Sequence, residues 1–214
     1  MNNSEKKILL SKVTLAGNLQ LPKNAAGIVL FAHGSGSSRF SPRNNSVARS
    51  LNQAGLATLL FDLLTEEEDK IDEITREYRF NIPMLAERLS EVTDWVQSQS
   101  GIQSLPIGYF GASTGAGAAL IAAAKHREVK AVVSRGGRPD LADQALPQVK
   151  AATLLIVGER DPVVIELNQQ AQARLHCKNE LKIVPGATHL FEEPGTLDEV
   201  THLAIQWFKD YLMK

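Results

Sequence analysis

Six short apolar runs, separated by helical patterns, restrict the fold of this chain more than any other feature of the sequence. The runs cover residues 27–32, 57–61, 105–110, 129–134, 153–157 and 181–184, and they show little alternation of apolar and polar residues. Strands that are covered on both faces have this pattern. Because strands and helices alternate along most of the chain, we expect an α/β fold: a three-layer sandwich with a mostly parallel central sheet.

Helices and one hairpin complete the predicted arrangement. A helix is expected after Asn81 as N-cap, where apolar residues recur at steps of three and four: Ile82, Leu85, Leu89, Val92 and Val96. A second stripe predicts that the last helix packs on the sheet: Val200, Leu203, Ala204, Trp207, Phe208 and Tyr211. Near the N-terminus, alternating segments flank Gly17 and Asn18, and this dipeptide favours the tight turn of an antiparallel hairpin.

Length and charge exclude several classes of protein. The chain has 214 residues, which we expect to form a single domain, 1–214. Its net charge of −1 provides no excess of positive charge for nucleic acid or an anionic membrane. One cysteine, Cys177, cannot form an internal disulfide, and residues 1–11 lack the apolar segment of a secretory signal. These features predict a cytoplasmic protein that binds neither nucleic acid nor a membrane; they leave its oligomeric state open.

Ser113 lies where a buried strand turns into a helix of small residues. The surrounding pentapeptide is Gly-Ala-Ser-Thr-Gly, residues 111–115. A sharp strand-to-helix turn tolerates only small neighbours, and it exposes the central hydroxyl at a helix N-terminus, where developing negative charge is favoured. Ser113 is therefore the candidate nucleophile, and the alternative is a serine that merely caps the helix.

A serine needs a base, and the base needs an orienting acid. His189 and Asp161 each follow an apolar run, so both are expected at the same edge of the sheet as Ser113. The chain order Ser, Asp, His separates one hydrolase architecture from the two protease orders that share its geometry. Asp62, which also follows a strand, is the alternative acid.

The loop after the first buried run contains His33, Gly34, Ser35 and Gly36. Backbone N–H groups in such a loop are suited to hold the negative oxygen that acyl transfer develops. The predicted oxyanion donors are the N–H groups of Ser35 and Thr114. For His33 a structural role within its own loop is favoured over metal binding, because no metal-ligand spacing includes it.

Charged residues near the predicted site have less specific interpretations. Arg39, Arg43, Arg135 and Arg138 follow strands or the oxyanion loop, and a substrate carboxylate or phosphate could bind to one or more of them. The alternative is that they anchor surface loops. The acidic segment 66–73 is interpreted as a solvated loop and helix start.

Four segments together resemble the α/β-hydrolase superfamily: the loop 33–36, the turn 111–115 around Ser113, and the segments 158–161 and 186–189 that end in Asp161 and His189. The short chain resembles the dienelactone-hydrolase-like branch of this superfamily, whose members lack a large lid domain. Members with the founding activity carry cysteine as nucleophile, whereas this chain has Ser113. The resemblance therefore implies hydrolysis of a small ester, lactone or thioester through an acyl-enzyme, with no metal or organic cofactor. An acyltransferase, a cofactor-free haloperoxidase-like enzyme and a non-catalytic binding protein with the same fold are the alternatives.

Overall fold

The fold is organised around one sheet, seen here in a computed structural model that describes residues 2–213. The strands are β1 (Asn2–Leu9), β2 (Thr14–Leu21), β3 (Ile28–Ala32), β4 (Ala57–Phe61), β5 (Ile107–Ala112), β6 (Val129–Arg135), β7 (Ala152–Gly158) and β8 (Asn179–Val184). Their order across the sheet is β1-β2-β4-β3-β5-β6-β7-β8. The pairs β1–β2 and β2–β4 are antiparallel, and all other neighbours run parallel, as the sequence predicts.

Helices cover both faces of the sheet. They are α1 (Pro42–Gln53), α2 (Glu66–Thr75), α3 (Ile82–Ser98), α4 (Thr114–Lys125), α5 (Pro162–Arg174) and α6 (Thr196–Leu212), with a 3-10 segment at Pro139–Gln148. Side chains of α1 and α6 share one apolar cluster with the sheet, and those of α3, α4, α5 and the 3-10 segment share the other. Leu30 and Phe31, neighbours in β3, each lie in a different cluster. This alternation makes the fold a three-layer sandwich.

Burial of the parallel strands matches the prediction except at one edge. All residues of β3, β4, β5 and β7 are buried. In contrast, Lys182 and Ile183 of β8 are exposed, so the expectation that every apolar run is covered on both faces is wrong for this strand. The reason is its place in the sheet, because β8 is an edge strand.

The N-terminal hairpin is present, but its turn is not at the predicted dipeptide. Gly17 and Asn18 lie inside β2, and the chain reverses earlier, where the N–H of Leu10 donates to the carbonyl of Val13 at 2.9 Å. A Cβ on Gly17 would lie 2.8 Å from Ile8 Cδ1. This glycine therefore provides space between neighbouring strands, and it does not provide a turn.

Among residues 2–213, the connections after the strands leave the carboxyl edge of the sheet without a large lid. The segment between β6 and β7 is the 3-10 segment, and its buried residues Ala142 and Leu146 pack into the core. Ligands of open α/β sheets bind at this edge. Within residues 2–213, no helix has the length and apolar character needed to cross a membrane.

Candidate active site

Ser113 connects β5 to α4 in a strained backbone conformation. Its φ is 50° and its ψ is −123°, a region that residues with a side chain rarely adopt. Its neighbours must be small: a Cβ on Gly111 would lie 2.5 Å from Ala116 Cα, and one on Gly115 would lie 2.3 Å from the carbonyl oxygen of Ala32. The strand-to-helix elbow predicted from the sequence is therefore confirmed.

Asp161 and His189 form a hydrogen-bonded pair. Asp161 follows β7 and His189 follows β8, and 2.6 Å separates Asp161 Oδ2 from His189 Nδ1. The carboxyl group is largely buried, whereas the imidazole is partly exposed. Asp62, the alternative acid, instead accepts hydrogen bonds from the backbone and side chain of Arg39. The side chain that can orient the imidazole is therefore that of Asp161.

Ser113 and His189 both lie against the end of β6. The N–H of Ser113 donates to the carbonyl oxygen of Arg135 at 3.2 Å. The next residue, Gly136, lies against the histidine, since a Cβ there would be 3.0 Å from the carbonyl oxygen of His189 and 3.6 Å from its Cε1. Among residues 2–213, however, Ser113 Oγ makes no hydrogen bond. In enzymes without bound substrate, the hydrogen bond between a nucleophile and its base is often long or absent.

The two predicted oxyanion residues are in direct contact. The N–H of Ser35 donates to Thr114 Oγ1 at 3.0 Å, and 2.9 Å separates the two hydroxyl oxygens. Their loop lies close to the nucleophile, because a Cβ on Gly34 would be 3.1 Å from Ser113 Cβ. The N–H of Ser35 thus already has a partner, and its role as an oxyanion donor stays a prediction.

His33 holds this loop in place. Its Nε2 accepts the N–H of Leu63 at 3.0 Å, so Nδ1 carries the proton and donates to the carbonyl of Gly34 at 3.0 Å. Burial lowers the pKa of His33 below its ordinary 6.5, which keeps the ring neutral. The structural role predicted for His33 is confirmed. The described part of the chain contains no group of three or more His, Cys, Asp or Glu side chains arranged to hold a metal ion.

Three of the four predicted anion-binding arginines have carboxylate partners within the chain, and the pairs of Arg39 and Arg138 are the most extensive. Arg39 pairs with Asp62 and, at 3.2 Å, with Glu5. Arg138 donates two hydrogen bonds to Asp140, at 2.8 and 2.7 Å. These contacts agree with the alternative interpretation, in which arginines anchor loops of the protein itself.

Arg43 is the third paired arginine, and Arg135 is the exception. Arg43 contacts Glu192 at 3.0 Å through Nη1; its Nε, like that of Arg39, is buried without a hydrogen-bond partner among the described residues. Arg135 is buried, and its Cζ lies 5.9 Å from the centroid of the Phe110 ring. No hydrogen bond or ion pair joins its guanidinium to the described residues.

The acidic segment is only partly solvated, contrary to its interpretation as a solvated loop and helix start. Asp72 is buried; burial by itself would raise its pKa, but hydrogen bonds from Arg79 and the N–H of Tyr78 hold that pKa below the ordinary value. Glu68 likewise has a lowered pKa, because the guanidinium of Arg88 outweighs the effect of burial. Sequence alone gave no signal for these pairs, whose arginines lie farther along the chain.

Two glutamates that the sequence analysis did not single out support the loops of the pair Asp161–His189. Glu159 accepts the N–H of Gly186 at 2.7 Å, which joins the loop after β7 to the loop after β8. Glu193 accepts the N–H of Thr188 at 3.0 Å. Both loops are therefore held by carboxylates of the chain. The position of Glu159, two residues before Asp161, is the one sequence signal that could have suggested such a supporting role.

Comparisons with known proteins agree with this geometry. Residues 25–210 match a family profile described as an alpha/beta hydrolase domain. A solved dienelactone hydrolase from Anabaena variabilis is 58% identical, with a TM-score of 0.97 and coverage of 99% of this chain and 98% of that one. Est1E from Butyrivibrio proteoclasticus is 16% identical, with a TM-score of 0.81 and coverage of 98% and 99%, so it shows the fold alone.

The curated relatives are longer proteins. One from Mycobacterium tuberculosis, provisionally named a phosphoribosyl transferase, is 58% identical over 213 residues, which are 99% of this chain but 47% of that protein. The chain thus spans about half the length of the curated relatives that it matches. The name, and the activity it states, refer to the longer protein.

Proposed function

The chain belongs to the alpha/beta hydrolase family and is dienelactone-hydrolase-like, and on this premise we propose that it hydrolyses a small carboxylic ester, lactone or thioester with Ser113 as nucleophile. The observation that carries the proposal is the strained backbone of Ser113, with its φ of 50°, at the N-terminus of α4. Strain of this kind persists where a site requires it. The esters named in the proposal share a carbonyl carbon that a serine hydroxyl can attack.

His189 acts as the general base. Its Nδ1 faces Asp161, so Nε2 is the nitrogen that takes the proton from Ser113 Oγ. Asp161 holds the imidazole in this tautomer and stabilises the imidazolium that forms. His189 then returns the proton to the leaving group, and it activates a water molecule that releases the acyl group from Ser113.

The N–H groups of Thr114 and Ser35 stabilise the negative oxygen of the tetrahedral intermediate. Thr114 is the first residue of α4, where backbone N–H groups have no partner within the helix. The N–H of Ser35 exchanges its bond to Thr114 Oγ1 for one to the oxyanion. Each such donor is worth about 2.7–4 kcal/mol in the transition state.

The proposal is tested by measuring the hydrolysis of p-nitrophenyl acetate and butyrate by the wild-type protein, Ser113→Ala and Ser104→Ala. We expect Ser113→Ala to lower kcat/KM by at least about 10³-fold, as removal of a catalytic nucleophile does. Ser104→Ala is the matched control, because Ser104 is exposed and lies in the turn before β5. The wild-type protein should release a burst of p-nitrophenol equal to the enzyme concentration, which reports the acyl-enzyme. Full activity of Ser113→Ala would contradict the proposal.

The identity of the acyl acceptor requires a separate measurement. We expect water to be the acceptor, so that added alcohols or hydrogen peroxide leave the free acid as the main product. Preferential formation of a new ester or of a peracid would instead assign the chain to the acyltransferases or to the haloperoxidase-like enzymes. Both results are read from product analysis of the same reaction.

A further inference from the structure

The guanidinium of Arg135 is a buried charge without a hydrogen-bond or ion-pair partner among residues 2–213. The side chain is 7% exposed, and Nη1 is fully enclosed without a hydrogen-bond partner. It forms no hydrogen bond or ion pair with any of residues 2–213. Buried charges are costly unless they are paired and hydrogen-bonded. An arginine that only anchored a loop would bond to the carbonyl or carboxylate groups of that loop, and this one does not.

The surroundings of Arg135 add positive charge. The Phe110 ring, at 5.9 Å, gives at most a weak cation–π contact. Arg43 is the charged neighbour that acts on Arg135; burial first, and then repulsion from Arg43, lower the pKa of Arg135 to about 10. One carboxylate, that of Glu192, contacts Arg43 and leaves its Nε buried without a partner. Two guanidiniums thus share a region with one counter-charge.

The backbone that carries Arg135 lies next to the candidate nucleophile and base. Arg135 accepts the N–H of Ser113 through its carbonyl oxygen, and Gly136 lies against His189. Residues that pair across neighbouring strands are about 5 Å apart at Cα, and Arg135 pairs with Ala112, which precedes Ser113. The unpaired guanidinium therefore belongs to a residue whose backbone adjoins the elbow of Ser113, at the edge of the sheet where ligands of this fold bind.

We propose that Arg135, assisted by Arg43, binds a carboxylate or phosphate of the substrate, so that the chain acts on anionic esters. The planar guanidinium fork can donate two hydrogen bonds to such a group at once. The preference for anionic esters rests on the proposed function, whereas anion binding at Arg135 does not.

Two p-nitrophenyl esters that differ in one charge test the preference. The anionic substrate is p-nitrophenyl hydrogen glutarate, and the neutral substrate of equal chain length is p-nitrophenyl pentanoate. We expect Arg135→Gln to lower the ratio of kcat/KM for the anionic ester to that for the neutral ester by at least about tenfold. The same change at Arg138 should leave the ratio unaltered, because Asp140 already pairs with that arginine. Equal losses on both esters after Arg135→Gln would overturn the proposal.

Binding of inorganic phosphate gives a readout that is independent of turnover. At constant ionic strength, millimolar phosphate should raise the Tm of Ser113→Ala, and the rise should be absent from Ser113→Ala/Arg135→Gln but present in Ser113→Ala/Arg138→Gln. Equal shifts in all three proteins would indicate general salt stabilisation and would contradict the site. If neither ester is hydrolysed but the shift depends on Arg135, the proposed function fails and the anion site remains.

A third variant, Arg135→Lys, tests the proposal in the case that Arg135→Gln does not fold. This variant keeps the charge but removes the planar fork, and it should retain only part of the anion preference. Wild-type protein that shows neither a preference for the anionic ester nor stabilisation by phosphate would contradict the proposal without any variant.

Discussion

Replacement of Ser113 by glycine should stabilise the protein while it abolishes catalysis. The φ of 50° and ψ of −123° at this residue lie in a region that costs a side-chain-bearing residue about 1–3 kcal/mol. Glycine adopts this region without strain, but it loses about 0.5–1 kcal/mol through the greater freedom of the unfolded chain. The midpoints of these ranges leave a net gain of about 1 kcal/mol, which in a chain of this size raises Tm by about 2–4 °C.

Ser113→Ala is the comparison that isolates the backbone. Both variants lack Oγ, but only alanine keeps the Cβ that makes the conformation unfavourable. The assay is urea and thermal unfolding of both proteins, with Ser104→Gly and Ser104→Ala as controls at an exposed serine that has no positive φ. There we expect glycine to be the less stable of the two. A Ser113→Gly protein no more stable than Ser113→Ala would refute the conclusion that the elbow stores strain.

Three further predictions concern the site and its support. Gly115→Ala should destabilise the fold by at least about 3 kcal/mol in urea unfolding, because the new Cβ would lie 2.3 Å from the carbonyl oxygen of Ala32; unaltered stability would contradict the close approach of β3 to α4. Asp161→Asn should lower kcat by about 10⁴-fold with little change in Tm, since the imidazole loses its orienting acceptor. The pKa of His33 lies below 6.5 in the folded state, so between that lowered pKa and pH 6.5 the unfolded chain binds more protons than the folded chain. The free energy of unfolding should therefore fall as the pH is lowered from 6.5, and His33→Gln should show a weaker fall in urea titrations.

The elbow and the order of the candidate site residues were accessible from the sequence because their signals are local. Small residues on both sides of Ser113 are a steric requirement of one turn, and the sequence displays them within five positions. The positions of Asp161 and His189 followed from the rule that parallel strands end at a common edge. The structure places those two side chains in contact at 2.6 Å.

The sequence predicted the hairpin turn at the wrong place because glycine can either form a tight turn or provide space between neighbouring strands. Gly17 reads as a turn residue, but Ile8 and Phe61 crowd its position from the neighbouring strands. Which use applies depends on residues from distant parts of the chain. The same limit explains the acidic segment, where Asp72 is buried and forms an ion pair with Arg79.

For the arginines, the sequence could not decide between binding a substrate anion and anchoring a loop of the protein. Arg39, Arg135 and Arg138 are alike in type, and each follows an apolar run of the sequence. They differ in whether a carboxylate lies within reach, as Asp62 and Asp140 do for two of them. That difference arises only from the folded arrangement, and of these three it leaves Arg135 as the arginine without a partner among the described residues.

Covalent labelling tests most directly the claim that Ser113 is a nucleophile activated by His189. The native protein is treated with a fluorophosphonate, and the modified peptide is identified by mass spectrometry, with Ser113→Ala and His189→Ala alongside. We predict a single adduct on Ser113 in the wild-type protein, none in Ser113→Ala, and labelling slowed by at least about 10³-fold in His189→Ala. An adduct on another serine, or equally fast labelling without the imidazole of His189, would contradict the account.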